Sequence, residues 1–429
     1  MKKILSLLLC AILLVGITAA CASPGTSGGG AAPAASNEPI ELTYWTLAGW
    51  RPNHWEYVTE QYALIDPNVS VDVVVNSTDD HKRNKMIAAA SNTMPSFWFN
   101  WGGSLGSFYP ENGLTWDLTE YAKEHNWDGW ISPLSLEMAT LGGMLSGKPH
   151  NITAFGVFYH KGLFERAGIT AEPTTYAEFE AAMAALHNAD IIPLAAGGRN
   201  GWQVFRLIEL LMEKNMGAEK HDRLLAQDTE MWLEPGLTQS FQEFRRYVEY
   251  GYYPEGFITA DPNDSRSLLY NEVAAMMIDG SSMEVNARND GQNPEDFGWF
   301  ALPLSAAGNR MTSFVQMNQF SSRLTNAEFE AAMAIDTFAF SPEVVDHLGI
   351  VQQPIPRNDI ILRNMPITEK VVAAFNERGG FLITDQGLPQ EVVNRLFEIQ
   401  DEVALGQTAP EAVGRIMKEF HDNWIAMNP

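Results

Sequence analysis

Residues Ser96–Gly103 read SFWFNWGG. Four of the eight are aromatic, and two glycines close the run. Such a stretch is either a buried strand or a platform for a ligand. Its flanks decide. Upstream, ELTYWTLAG (Glu41–Gly49) alternates like a half-buried strand that ends at glycine. HWEYVTEQYALI places Trp55, Val58, Tyr62 and Ile65 at helical spacing. VSVDVVV (Val69–Val75) is a second strand and DDHKRNKMIAAAS (Asp79–Ser91) a second helix. SFWFNW is then a third strand. Strand–helix–strand–helix–strand predicts parallel pairing with right-handed crossovers.

The pattern resumes after about residue 150. AFGVFYH is a strand, and GLFERAG is a short helix closed by Gly168. Thr175 with Glu178 forms a capping box for YAEFEAAMAALHNA, and Thr325 with Glu328 another for AEFEAAMAIDTFAF. IIPLAA is a strand, WQVFRLIELLMEKNMG a helix ending in glycine, and VAAMMIDG and FGWFALP are short buried strands. The last 60 or so residues read as mostly helical, punctuated by Pro366, Pro389 and Pro410. The expected fold is α/β with two lobes that exchange chain.

The N-terminus is of another kind. Lys2 and Lys3 precede an apolar run from Ile4 to about Ile17 and then small residues, the plan of a secretory signal over residues 1–20. ITAAC resembles a bacterial lipobox with Cys21 as the lipidated residue, and Thr18 stands where Leu is usual. Residues 21–38 are rich in Gly, Ala, Ser and Pro. They lack the apolar residues to fold and read as a flexible tether reaching roughly 20–25 Å. Cys10 leaves with the signal, so Cys21 has no intrachain disulfide partner. The formal net charge of −25 and the lack of a basic stripe speak against nucleic-acid binding.

Catalytic signatures are sparse. None of the nine histidines pairs with another at i+3 or i+4, there is no H-E-x-x-H zinc site, and no G-x-S-x-G elbow occurs. GGMLSGKP (Gly142–Pro149) has the spacing of a phosphate-binding loop, but Pro149 replaces the hydroxyl residue that would hold Mg²⁺ and removes an amide donor. A glycosidase needs only two carboxylates at the right separation. Among 53 acidic residues that reading stays open, although no pair stands out. No cofactor and no metal are expected.

GKPHNITAFGVFYHKGLFERAGITAEPTTYAEF (Gly147–Phe179) resembles the extracellular solute-binding proteins of ABC importers, the family 1 sugar-binding group. That group shows a Gly-Lys turn, a strand ending in Tyr-Asn-Lys, then Leu-Phe, Ala-Gly and a Pro-Thr-Thr helix start. Tyr159-His160-Lys161, Leu163-Phe164, Ala167-Gly168 and Pro173-Thr174-Thr175 follow in that order, with His160 in place of Asn. MPSFWFNWGG, NEVAAMMIDGSSM, FGWFALPLS and GIVQQPIPRND resemble further segments of the group, with Ser96 replacing an Asp and Ser282 a Trp. The resemblance covers roughly Glu38 to Asn423. It implies a type II Venus-flytrap fold with a helical C-terminal region and lobes at 39–151 plus 303–340 and at 152–302 plus 341–429. It also implies capture of a carbohydrate, an oligosaccharide, by hinge closure and delivery to a permease. The protein would be a monomeric, non-catalytic, Gram-positive-type lipoprotein on the outer face of the cytoplasmic membrane. A secreted glycoside hydrolase and a same-fold receptor for a non-sugar solute are the alternatives.

In open α/β sheets the ligand crevice lies beyond the carboxyl ends of the strands. Trp101 ends the third strand beside Gly102 and Gly103, where ligand stacking and core packing are both open. Asn100 beside it points to the opposite face if the strand continues. Trp45 lies mid-strand, a position that favours the core. Trp202 follows GGRNG at a helix start, where the resemblance implies an aromatic that stacks on sugar. Asp279 ends a strand and either accepts sugar hydroxyls or caps the next helix. Ser282 implies a stacking subsite that is missing or supplied elsewhere. Arg357 in PIPRND reaches either the ligand or a surface partner. His150 falls at the lobe crossover as a hinge or ligand residue. The two glycines are expected to let the backbone turn without blocking the ligand.

Overall fold

The computed structural model describes residues 39–48, 54–262, 264–347 and 365–428. Cys21 and Arg357 lie outside them, as do the signal and tether segments. No described helix is long and apolar enough to cross a membrane.

Nine strands form one sheet: β1 (Ile40–Leu47), β2 (Val69–Asn76), β3 (Phe97–Trp101), β4 (Lys148–His160), β5 (Ile192–Leu194), β6 (Ala274–Gly280), β7 (Phe297–Phe300), β8 (Met311–Phe320) and β9 (Gly380–Leu382). The path runs β2-β1-β3-β8-β4-β6-β5, with β9 beside β8 and β7 beside β4. β1 pairs parallel with both β2 and β3, as the alternation of strands and helices predicts. Every residue of β3 is buried, so FWFNW is a strand covered on both faces.

Two long strands carry the chain from one core to the other. Ser313–Asn318 of β8 pairs antiparallel with Lys148–Ala154 of β4. The remainder of β4 turns to other partners: Phe155–Tyr159 pairs with β6 and Val157–His160 with β7. The far end of β8 pairs with β3. One apolar cluster draws on Leu42 to Leu145 and Val315 to Val344. A second draws on Val157 to Leu302 and Phe381 to Met417. A third covers the opposite face of the second half-sheet, around Phe158, Met277 and Trp299.

Local chemistry sets the helix ends. Both Thr175/Glu178 and Thr325/Glu328 form complete capping boxes. Each satisfies orphan amides in both directions and contributes about 1 kcal/mol. Pro366 and Pro410 open helices Pro366–Arg378 and Pro410–Met427, and Pro389 caps Gln390–Ala404. A proline there gives up an amide that has no helical partner.

The phosphate-loop spacing at Gly142–Lys148 has a structural outcome. Lys148 is buried, and its Nζ lies 2.8 Å from Asp336 and 2.9 Å from Thr337 Oγ1. Asp336 in turn accepts from Asn318, which accepts from the Tyr44 hydroxyl at 3.1 Å. This lysine ties β4 to helix Asn326–Ala339.

Candidate functional site

A cavity of about 520 Å³ opens where the strands end. Its wall takes Leu47 and Ala48 from the end of β1, Ser77 and Thr78 just after β2, and Trp101 from the end of β3. Asp279 and Ser282 come from the end of β6, and Trp202 and Arg206 from the first two turns of helix Trp202–Met216. Thr153 and Phe155 of β4 and Phe314 and Gln316 of β8 supply the middle of the crossing strands. Asp385 and Gln386 follow β9. The size is that of a small-molecule site, at the carboxyl ends of parallel strands.

Two aromatic–cation clusters lie at this wall. Trp101 packs edge-to-face on Phe99 at 4.8 Å, and Lys82 and Lys85 bring their ammonium groups to 5.4 and 5.3 Å from its ring centre. On the other side, the Arg206 guanidinium lies 4.5 Å from the Trp202 ring centre and 4.6 Å from that of Phe155. Arg206 pairs with Asp279 at 2.8 Å, and Asp279 also accepts from the Gly280 amide at 2.7 Å. Arg266 approaches the same carboxylate at 3.8 Å.

Several buried polar atoms of the wall have no hydrogen-bond partner among the described residues: Trp202 Nε1, Arg206 Nε, Asp385 Oδ1 and Gln386 Oε1. A buried polar group left unpaired costs about 1–3 kcal/mol. Four in one cavity equip it to bind a solute rich in donors and acceptors. Burial raises the Asp385 carboxyl above its usual range, against the pull of Lys82 and Arg206. Burial also pushes Glu209, three residues beyond Arg206, up to about 8. Among the described residues no group of three His, Cys, Asp or Glu side chains could hold a metal ion.

The structure brings Trp101, Trp202, Asp279 and Ser282 together on this wall. Trp101 is also core: it is 6% exposed and belongs to the first apolar cluster. Asp279 serves Arg206 and Gly280, while helix Met283–Asn289 begins at Ser282 with no side-chain cap. Asn100, Trp45 and His150 do not line the cavity. Asn100 is buried on the other face of β3, where its Oδ1 accepts from Lys85 at 2.6 Å and its Nδ2 donates to Gln319 at 2.6 Å. Trp45 pairs in register with Val74 and Trp98 inside the sheet. His150 stacks on Phe340 at 4.5 Å.

Gly102 and Gly103 owe their smallness to protein neighbours. A Cβ on Gly102 would press on the Met138 carbonyl, and one on Gly103, whose φ is +62°, would collide with the Gln386 backbone. The sequence reading missed Lys82, Arg206, Arg266 and Asp385. Arg206 carried a signal, because it places a cation one helical turn beyond Trp202, on the same side of the helix.

Residues 53–345 match the model of the bacterial extracellular solute-binding protein family. The chain belongs to this family. A probable sugar-binding periplasmic protein of Mesorhizobium japonicum is 24% identical over 336 residues, covering 73% of this chain and 77% of that protein. An uncharacterised ABC transporter extracellular-binding protein of Pyrococcus horikoshii is 22% identical over 329 residues, covering 73% of this chain and 72% of that one. Among solved structures, a chitin oligosaccharide binding protein superposes with a TM-score of 0.81 at 22% identity, covering 90% of this chain and 98% of that one. The fold of this solute-binding protein is thus the two-lobed periplasmic-binding type, mixed α/β with a large helical content. Its family consists of binding proteins.

Proposed function

We propose that this solute-binding protein captures a carbohydrate, an oligosaccharide, between its lobes and passes it to the permease of an ABC importer. One observation carries the reading. Trp101 at the end of β3 and Trp202 at the start of helix Trp202–Met216 line the same cavity, alongside buried polar atoms that have no partner among the described residues. Sugars present apolar C–H faces and polar rims, and aromatic planes beside unsatisfied donors and acceptors match both. The sugar-binding relative and the oligosaccharide-binding structural neighbour agree with it. A neighbouring cavity of about 760 Å³ shares Lys82, Leu105 and Gln386 with the first and adds Phe108, Tyr109 and Trp424, which favours a ligand longer than one sugar ring.

The same proposal assigns lobes at 39–151 plus 303–340 and at 152–302 plus 341–429. β4 and β8 form the hinge, Cys21 anchors a monomer to the outer face of the membrane, and no chemistry is performed on the solute. Calorimetric titration of the purified protein against mono- and oligosaccharides tests it. Binding of at least one oligosaccharide at micromolar affinity or better, with no new reducing ends from labelled substrate, is the expected result. Turnover of the substrate would establish a hydrolase instead.

A further inference from the structure

The cavity wall runs against the charge of the chain. The formal net charge is −25. Among the described residues that line the cavity, however, three cations (Lys82, Arg206 and Arg266) face two carboxylates, Asp279 and Asp385. Arg206 and Asp279 form a close pair at 2.8 Å through one guanidinium nitrogen, Nη1. Arg266 reaches Asp279 only at 3.8 Å, with its side chain about a third exposed. Lys82 makes no ion pair or side-chain hydrogen bond among the described residues, and its Nζ stands 5.4 Å from the Trp101 ring centre. Asp385 feels both Lys82 and Arg206, and burial works against its ionisation.

A neutral saccharide needs donors and acceptors in balance. It leaves an excess of cations dry when a cleft closes, and a desolvated cation without a counter-charge is costly. Arg206 adds a second, independent sign. It is 9% exposed, is flanked by Trp202 and Phe155, and keeps one guanidinium donor, Nε, without a partner among the described residues. Helix Trp202–Met216 also starts at this wall with Gly201 as its cap, so no side chain quenches its positive pole.

We infer that the cavity selects a saccharide bearing an anionic substituent, held between Lys82 on one side and Arg206 with Arg266 on the other. This rests on the carbohydrate reading of the same site. The anion is the carboxylate of a uronic acid or a sugar sulfate, both of which match arginine and lysine donors.

The test is calorimetry on matched pairs: galacturonic acid oligomers against galactose oligomers, glucuronate-substituted against plain xylo-oligosaccharides, and sulfated against unsulfated galacto-oligosaccharides. Each titration is run at low and high salt, for the natural protein, Lys82→Met and Arg266→Gln. At least one charged member binds tenfold or more tighter than its neutral partner, more so at low salt, and which pair shows it names the anion. Lys82→Met or Arg266→Gln cuts the preference to threefold or less while the melting temperature holds. Equal or tighter binding of the neutral members overturns the inference and leaves carbohydrate capture standing. A preference that survives both substitutions overturns it too, because the selecting charge then lies elsewhere. Binding by none of the saccharides removes both this inference and the reading beneath it.

Discussion

Trp101 and Trp202 divide the work of one aromatic pair unequally. Trp101 is 6% exposed and packed on Phe99, so Trp101→Ala opens a cavity in the core as well as in the wall. It is expected to cost about 3–5 kcal/mol of stability, like Phe97→Ala, and to weaken ligand binding as well. Trp202 is only half-buried. Trp202→Ala is expected to lower affinity at least about tenfold, roughly 1.4 kcal/mol, at a cost of about 1–2 kcal/mol in stability. Denaturant melts beside calorimetry separate the two effects. Asp279→Ala would strand the Arg206 guanidinium, whose side chain is 10% exposed, and is expected to destabilise by about 3–5 kcal/mol. Single residues were legible where strand ends gave them away, as with Trp101 and Asp279. Asn100 was less so. Its place in a buried chain with Lys85 and Gln319 depends on Gln319, which is 219 residues away in sequence.

At the scale of elements, β8 explains most of what the sequence concealed. The strands β1 to β3, the later strands β6 and β7 and both capping boxes followed from alternation, apolar runs and local capping chemistry. MTSFVQMNQF shows no period-2 alternation, because β8 is buried on both faces and the polar side chains of Ser313, Gln316, Asn318 and Gln319 are paired internally. Gln316 accepts from Asn151 at 2.5 Å, Asn318 donates to Asp336 at 2.5 Å, and Gln319 donates to Ser146 at 3.1 Å. Such pairing hides a central strand from any hydrophobicity pattern. The turn after β3 gives an element-scale prediction. Gly103→Ala forces a side chain into the left-handed region against the Gln386 backbone. It is expected to lower the melting temperature by several degrees and to weaken binding, since Gln386 lines the cavity.

At the scale of the molecule, Glu209 links the site to pH. Its pKa, pushed up to about 8 by burial, exceeds the ordinary unfolded value near 4.3. Between those values the folded state holds a proton that the unfolded chain has released. Stability is therefore lost as pH rises from about 4.5 to 8. Glu209→Gln keeps an acceptor for the Thr384 amide and removes the titration. The variant is expected to match the natural protein near pH 4.5 and to melt progressively higher than it toward pH 8, as scanning calorimetry would show. The proposed hinge closure about β4 and β8 predicts a smaller radius of gyration by solution scattering once ligand is saturating.

Carbohydrate capture is proposed for the cavity between Trp101 and Trp202. Calorimetric titration of the purified protein and of Trp202→Ala against one panel of neutral and acidic oligosaccharides tests it most directly. Saturable one-to-one binding of at least one saccharide is expected, weakened at least about tenfold in the variant. Binding that Trp202→Ala leaves unchanged, or no binding across the panel, would contradict it.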